Sequence, residues 1–299
     1  MLSILAPLSI HVLLLTATPK SCDSKQSAST LTEQTLLENP TASSDSIPRH
    51  LFMPPNPPAP GRDRALSLRL PHLLAERTTN YRHASVSQAK NIELVARRLN
   101  GVIVRPGETF SYFAHVGPYT AANGYGWGRA FVGDRIVPSM GGGVCQGAST
   151  LYSALLRTGL PIVERHNHGL TVPYLPAGED ATVSSSANLD FRFRNDQSTP
   201  ILITASTIPD RRYLTVSIWG AKPRPNIEVK HQVINTYPFH VIHRSHKSYE
   251  SKASTSEHVL FPGQEGAKVS TWLCIRNGKK TVMKEVSVDV YRSSPRIVD

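Results

Sequence analysis

Gly141-Gly142-Gly143-Val144-Cys145-Gln146-Gly147 is the stretch of this chain best suited to nucleophilic chemistry. Glycines reach backbone conformations closed to other residues and let another chain or a ligand come close. Behind them Ala148, Leu151, Tyr152 and Leu155 recur at helical spacing, so the sequence predicts a helix that opens at Cys145. A thiol at a helix start lies near the positive end of the helix dipole, which favours the thiolate. The unpaired amides of that first turn are also able to stabilise an oxyanion. The same spacing allows a plainer use. Cys145, Ala148, Ser149 and Tyr152 share one helical face, and a free cysteine is often just a small buried residue.

A nucleophilic cysteine needs a base. Arg165-His166-Asn167-His168-Gly169 follows, with His168 23 residues beyond Cys145. His166 and His168 have period-two spacing, so a strand would put both on one face. Gly178-Glu179-Asp180 then offers a carboxylate to orient an imidazole. The candidate catalytic set is Cys145, His168 and Asp180, with His166 as the neighbouring imidazole. Structural histidines are the alternative, and zinc held by Cys145, His166 and His168 is a third use. No Cys-x-x-Cys or His-Glu-x-x-His pattern supports a metal, and no cofactor motif is present. Glu164, Arg165, Asp190, Arg192 and Arg194 alternate in sign, as on a solvated strand face or in a cleft that grips a carboxylate. Tyr112, Tyr119, Tyr125 and Trp127 would line such a cleft or pin the loop that carries them. Candidate substrate-binding residues are Gly143, Gln146, Ser149, Arg165, Arg192 and Tyr125.

The elements that must position these groups are written locally. Ile92, Val95, Ala96 and Leu99 form one apolar stripe on a helix from about Ser87 to Leu99. Ser85 and Gln88 have capping-box spacing, and Asn100-Gly101 is a left-handed stop. A short strand over Val102 to Val104 and a turn over Arg105 to Glu108 come next. Gly159 and Pro161 end the Cys145 helix. The pattern then turns to period two, with strands over Ile201 to Ala205 and Leu214 to Trp219 joined at Pro209-Asp210-Arg211. Asn277-Gly278 separates two further strands, around Lys268 to Arg276 and Thr281 to Val290, as in a hairpin.

With 299 residues, 39% of them hydrophobic, the chain can bury a real core. The net charge is +11, and residues 222–299 hold 13 Lys and Arg against 7 Asp and Glu. This bias suits an anionic partner such as a wall polymer or a phospholipid surface. Nucleic acid is not expected as a partner, since no zinc-finger spacing, basic zipper or RNA-binding aromatic signature is present. Residues 1–22 read as a signal peptide whose apolar stretch, Ile4 to Ala17, is too short to span a membrane. Ser21-Cys22 is similar to a lipoprotein cleavage site, so Cys22 is a lipidation candidate and the chain is expected outside the cytoplasm, in the cell envelope. Residues 23–62 are rich in Ser, Thr and Pro and read as a disordered tether. Three cysteines make no disulfide scaffold. Pairing of Cys145 with Cys274 would consume the one thiol whose surroundings are special.

Taken together, Asn91-Ile92-Glu93-Leu94, Arg105 to Ser111, Gly141 to Gln146, Ser149 to Tyr152, Glu164 to His168, Asp180 to Val183 and Asp190 to Asn195 closely resemble the VanW family over roughly residues 72–221. Members of that family occur in some vancomycin-resistance clusters, so the resemblance implies a cell-envelope setting and names no reaction. The fold it implies is α+β: a VanW core over residues 63–221, with two main helices on a mostly antiparallel sheet. Residues 222–299 would form a small basic all-β module. Leu260 to Gly266 and Tyr291 are distantly similar to five-glycine β-modules, which implies wall-sugar binding. Cys145, His168 and Asp180 follow in the order found in transglutaminase-like cysteine enzymes, which implies attack on an amide carbonyl with proton transfer by His168.

Three functions of different kinds therefore stand at this point. One is a non-catalytic module that binds peptidoglycan or its precursors. Another is a cysteine-dependent amidohydrolase or transpeptidase-like enzyme acting on wall peptides. Assembly with another envelope protein is a third. The sequence sets no oligomeric state.

Overall fold

The computed structural model describes residues 61–132, 135–244, 259–278 and 280–298. The expected signal segment, most of the tether and Cys22 lie outside the described residues.

Helix α1 (Arg62–Ser67) and strand β1 (His72–Asn80) lead into α2 (Val86–Leu99). The stripe of α2 is buried as its spacing requires, at Ile92, Val95, Ala96 and Leu99. The Ser85 hydroxyl accepts the Gln88 amide at 3.2 Å, and Gly101 takes the left-handed conformation just beyond Asn100. Strands β2 (Val102–Val104) and β3 (Thr109–Ser111) flank the expected turn, and the short helix α3 (Tyr112–Val116) follows. An antiparallel hairpin of β4 (Trp127–Val132) and β5 (Arg135–Met140) delivers the chain to α4 (Val144–Leu156).

Every residue of α4 from Gln146 to Leu156 is buried. Such a helix must be enclosed on all sides, and α4 packs against β1, α2 and the later strand β9 (Tyr213–Gly220). Its polar side chains are satisfied inside the protein. Gln146 donates to the Thr79 hydroxyl and the Asn80 carbonyl, both at 3.1 Å, and Thr150 donates to the Gln146 carbonyl at 2.6 Å.

After α4 come β6 (Ile162–Glu164), β7 (Arg192–Arg194) and β8 (Ile201–Ile208), the last forming a hairpin with β9. The main sheet runs β1-β9-β8-β2, antiparallel throughout, and β3-β7-β6 forms a smaller antiparallel sheet beside it. The continuous apolar run Ile201-Leu202-Ile203 reflects burial on both faces of β8. Ile201 and Ile203 face the main core, while Leu202 packs with Trp219, Ala65 and Leu70 beside α1.

The remaining described strands are β10 (Asn226–Tyr237), β11 (Val241–His243), β12 (Val259–Gln264), β13 (Gly266–Asn277), β14 (Lys280–Tyr291) and β15 (Ser294–Val298). They form two three-stranded sheets, β10-β13-β14 and β11-β15-β12. The architecture is α+β with an all-β C-terminal region, and α2 and α4 are the two helices that build the core. Ile227 of β10 and Leu273 of β13 belong to the same apolar cluster as α2, α4 and the main sheet. Among the described residues, no helix is long and apolar enough to cross a membrane.

Candidate active site

The site forms where the start of α4 meets two irregular segments, residues 165–169 and 178–183. Gly143 is the N-cap of α4 at φ 106, so the triple glycine turns sharply and sets Cys145 in the first helical turn. Among the described residues, neither the Gly143 nor the Cys145 amide donates to a backbone carbonyl outside the helix. These are the orphan donors of a helix start. Cys145 is half-buried and is a free thiol, so it does not pair with Cys274.

His168 is 3% exposed. Its Nδ1 lies 2.6 Å from Asp180 Oδ2, which also accepts the His168 backbone amide at 2.7 Å. The imidazole also hydrogen-bonds the Cys145 side chain. The single thiol proton therefore has two acceptors within reach, the imidazole and the Val183 carbonyl, 3.4 Å from the sulfur. Burial alone would depress the imidazole. The hydrogen bonds to Asp180 and Cys145 outweigh it and raise His168 to about 9.

Asp180 is fully buried and takes four hydrogen bonds. Besides the two from His168, its Oδ1 accepts the Tyr291 hydroxyl at 2.5 Å and an Arg165 guanidinium nitrogen at 3.1 Å. Burial favours the neutral acid, but His168, Arg165 and Tyr291 together hold the carboxyl below its usual range. Its neighbour Glu179 is buried among Ser153 at 2.5 Å, Arg157 at 2.8 and 3.0 Å, and His231 at 3.0 Å. That cluster joins α4 to β10.

The structure thus brings Cys145, His168 and Asp180 into one hydrogen-bonded chain and leaves His166 out of it. The period-two expectation for the two histidines fails because β6 ends at Glu164. Beyond that point the backbone bonds are irregular: Thr182 donates to the His166 carbonyl at 2.7 Å, and His168 donates to a carboxylate. His166 turns its ring to Glu164 at 3.2 Å, with its side chain 43% exposed. A zinc site on Cys145, His166 and His168 is not assembled, and no group of three potential metal ligands is suitably placed among the described residues.

Several candidate substrate contacts are turned inward. Ser149 bonds the Ala181 carbonyl and amide at 3.1 and 3.0 Å, and Gln146 is occupied as described. Tyr125 is buried, donating to the Val116 carbonyl at 2.5 Å beneath the Arg98 guanidinium. Arg165 is an internal clamp: it bonds the Asp180 carbonyl at 2.6 Å, pairs with Asp289 at 2.5 Å and lies over the Tyr152 ring. Arg192 is exposed on β7, opposite Ser111 and Glu164. Residues that sequence reasoning did not place here are Tyr291, Asp289 and Tyr174, the last a buried phenol near Cys145. Nothing in local spacing links the first two to a site more than 100 residues earlier in the chain.

Fold and site together define an α+β domain in which a glycine turn presents a cysteine to a buried histidine and carboxylate. Residues 87–219 match the family model described as VanW like protein. It is 42% identical over 132 residues to the "Uncharacterized protein YoaR" of Bacillus subtilis (strain 168), covering 44% of this chain and 43% of that one. It is 34% identical over 113 residues to the "Vancomycin B-type resistance protein VanW" of Enterococcus faecalis (strain ATCC 700802 / V583), covering 36% of this chain and 40% of that one. The chain thus spans less than half the length of the curated relatives it matches. The crystal structure of HP0197-G5 aligns over 24% of this chain and 95% of its own at 20% identity, with a TM-score of 0.13.

Proposed function

We propose that this chain is a cell-envelope cysteine enzyme that acts on amide bonds of wall peptides, with Cys145 as nucleophile, His168 as base and acid, and Asp180 as the group that orients the imidazole. The likeness to the VanW family and to the Enterococcus vancomycin B-type resistance protein supports a setting in vancomycin resistance. Export with lipidation at Cys22, and attraction of the +11 chain to peptidoglycan or an anionic wall polymer, belong to the same reading.

One observation carries the choice of an enzyme over a passive binding module: the chain of hydrogen bonds from Cys145 through His168 to Asp180 at the start of α4. In the reaction the Cys145 proton already rests on His168, which its hydrogen bonds keep protonated, and the sulfur attacks the amide carbonyl carbon. First-turn amides of α4 stabilise the oxyanion. His168 then protonates the departing amine as the carbon–nitrogen bond breaks, leaving a thioester. Water or a second amine, deprotonated by His168, releases the acyl group and restores the thiol.

The test has two parts. Purified protein is treated with iodoacetamide near neutral pH, and Cys145 modification is followed by mass spectrometry. The protein is then incubated with muropeptides and new amines are counted. Fast alkylation, and amine release that Cys145→Ala abolishes, are expected. An inert Cys145, or muropeptide turnover that survives Cys145→Ala, overturns the proposal. Wall binding retained by that variant without any turnover in the wild type would favour the binding module.

A further inference from the structure

Asp180 is held from two directions, and one of them is the C-terminal sheet. Asp289 and Tyr291 stand two apart on β14, so both point to the same face of the strand, and both are buried while Val288 and Val290 face outward. Tyr291 is fully buried beside Ala267, Val269 and Ala177. Its hydroxyl oxygen accepts the Gly178 amide at 2.6 Å. That bond fixes the orientation of the phenol, whose own proton has Asp180 Oδ1 at 2.5 Å. Asp289 pairs with Arg165 at 2.5 Å, and Arg165 reaches the same Oδ1 at 3.1 Å. The backbone is tied at the same place: Arg292 donates to the Gly169 carbonyl at 2.7 Å and Asn167 donates to the Val290 carbonyl at 3.0 Å. A Cβ on Gly178 would lie 2.1 Å from the Thr271 hydroxyl, so the loop that carries Asp180 rests directly on β13.

We infer that Tyr291 is a positioning residue for the Cys145 site: the C-terminal sheet orients Asp180 through the Tyr291 hydroxyl, supported by Asp289 acting through Arg165. The inference rests on the cysteine-enzyme reading. Oδ2 alone meets His168, and a carboxylate with one oxygen tied down cannot rotate that oxygen away from Nδ1. Burial first, and the Asp180 charge next, push the Tyr291 phenol up, so it stays a donor. Removing the hydroxyl frees Oδ1 on that side and leaves the Gly178 amide without its acceptor. The imidazole then loses a fixed partner, and the thiol loses a well-placed base.

The experiment compares wild type, Asp180→Asn, Tyr291→Phe and Asp289→Asn in the full chain. Each folded protein is titrated for the rate of Cys145 alkylation against pH, and the His168 Nδ1 proton is followed by NMR. In the wild type, Cys145 is expected to alkylate faster than a free cysteine at pH 7, and Asp180→Asn to abolish the difference. Tyr291→Phe should slow the pH 7 rate roughly tenfold, the scale of outer partners that orient a functional group. It should also move the acidic limb of the profile to higher pH and shift the Nδ1 proton signal. Asp289→Asn should move the limb the same way, and it carries the test if Tyr291→Phe does not fold. A purely structural Tyr291 would lower thermal stability and leave the profile in place. If Asp180→Asn changes the profile while both sheet variants keep it, the inference fails and the enzyme reading stands. An ordinary thiol profile in the wild type, unchanged in Asp180→Asn, overturns both.

Discussion

His168 links the candidate site to the pH dependence of the whole chain. Its imidazole is raised from 6.5 to about 9 because two hydrogen bonds, to Asp180 and Cys145, outweigh the burial that would lower it. A folded value above the unfolded one stabilises the fold fully below about pH 6.5, and that contribution is lost as pH rises through about 9. At 1.36 kcal/mol per unit it is at most ~3 kcal/mol. Glu179 and Asp180 act in the opposite direction. Burial would raise both, but Glu179's bonds to His231 and Arg157, and Asp180's to His168 and Arg165, hold them below their ordinary ranges. Their contribution is present above the ordinary carboxylate range and is lost on acidification. Stability should therefore peak between about pH 5 and 6.5 and fall on both sides. Urea denaturation across pH 4 to 9.5 measures this, and His168→Gln should flatten the alkaline side and, because Asp180 loses its imidazole partner, make the acid side shallower as well. A His168→Gln chain that kept the wild-type slope between pH 6.5 and 9 would show that the imidazole does not carry it.

At the scale of elements, the glycine turn ahead of α4 works by close backbone contact. A Cβ on Gly142 would lie 2.4 Å from the Gly128 carbonyl carbon, and main chain cannot move aside as a flexible side chain can. Asn91 of α2 fastens the same junction, donating to the Gly126 and Gly142 carbonyls and accepting the Gly126 amide, each at 2.9 Å. Gly142→Ala must push the β4–β5 hairpin off the turn that holds Cys145. The expected cost is about 1–3 kcal/mol, with slower Cys145 alkylation as the thiol leaves the imidazole. Chemical denaturation and the iodoacetamide rate check it, and wild-type values for both would refute the contact as a constraint. This scale is also where the sequence was most readable. The Ser85 cap, the stripe of α2, the start of α4 and both long hairpins follow from spacing and turn chemistry, because each is decided by residues a few positions apart. The placing of Cys145, His168 and Asp180 together could be guessed from residue type and order. The exclusion of His166 could not, because it depends on β6 ending at Glu164, after which backbone donors are satisfied by loops and carboxylates rather than by a strand partner.

For the whole molecule, the two parts suggested by composition share one interior. Tyr291 and Asp289 contact Asp180 and Arg165 across more than 100 residues of sequence, a separation at which no periodicity gives a signal. The linker-like Ala221-Lys222-Pro223-Arg224-Pro225 is short, and Arg224 within it donates to the Thr158 carbonyl at 2.7 Å, just past α4. A chain ending at Ala221 would uncover the face that meets Ile227 and Leu273. It would also take His231 from Glu179, Asp289 from Arg165 and Tyr291 from Asp180. Breaking a buried charge pair by removing one partner costs about 3–5 kcal/mol, against a typical total stability of roughly 5–15 kcal/mol. Loss of the Arg165–Asp289 pair, together with the hydrogen bonds of His231 and Tyr291 and their apolar cover, should therefore leave residues 63–221 unable to hold a cooperative fold by themselves. Circular dichroism melting of the shortened chain is expected to show a broad, low transition, and its Cys145 should alkylate at the rate of a free cysteine. A sharp melt near that of the full chain, with the wild-type alkylation profile intact, would mean that residues 63–221 supply the fold and the site without the C-terminal strands.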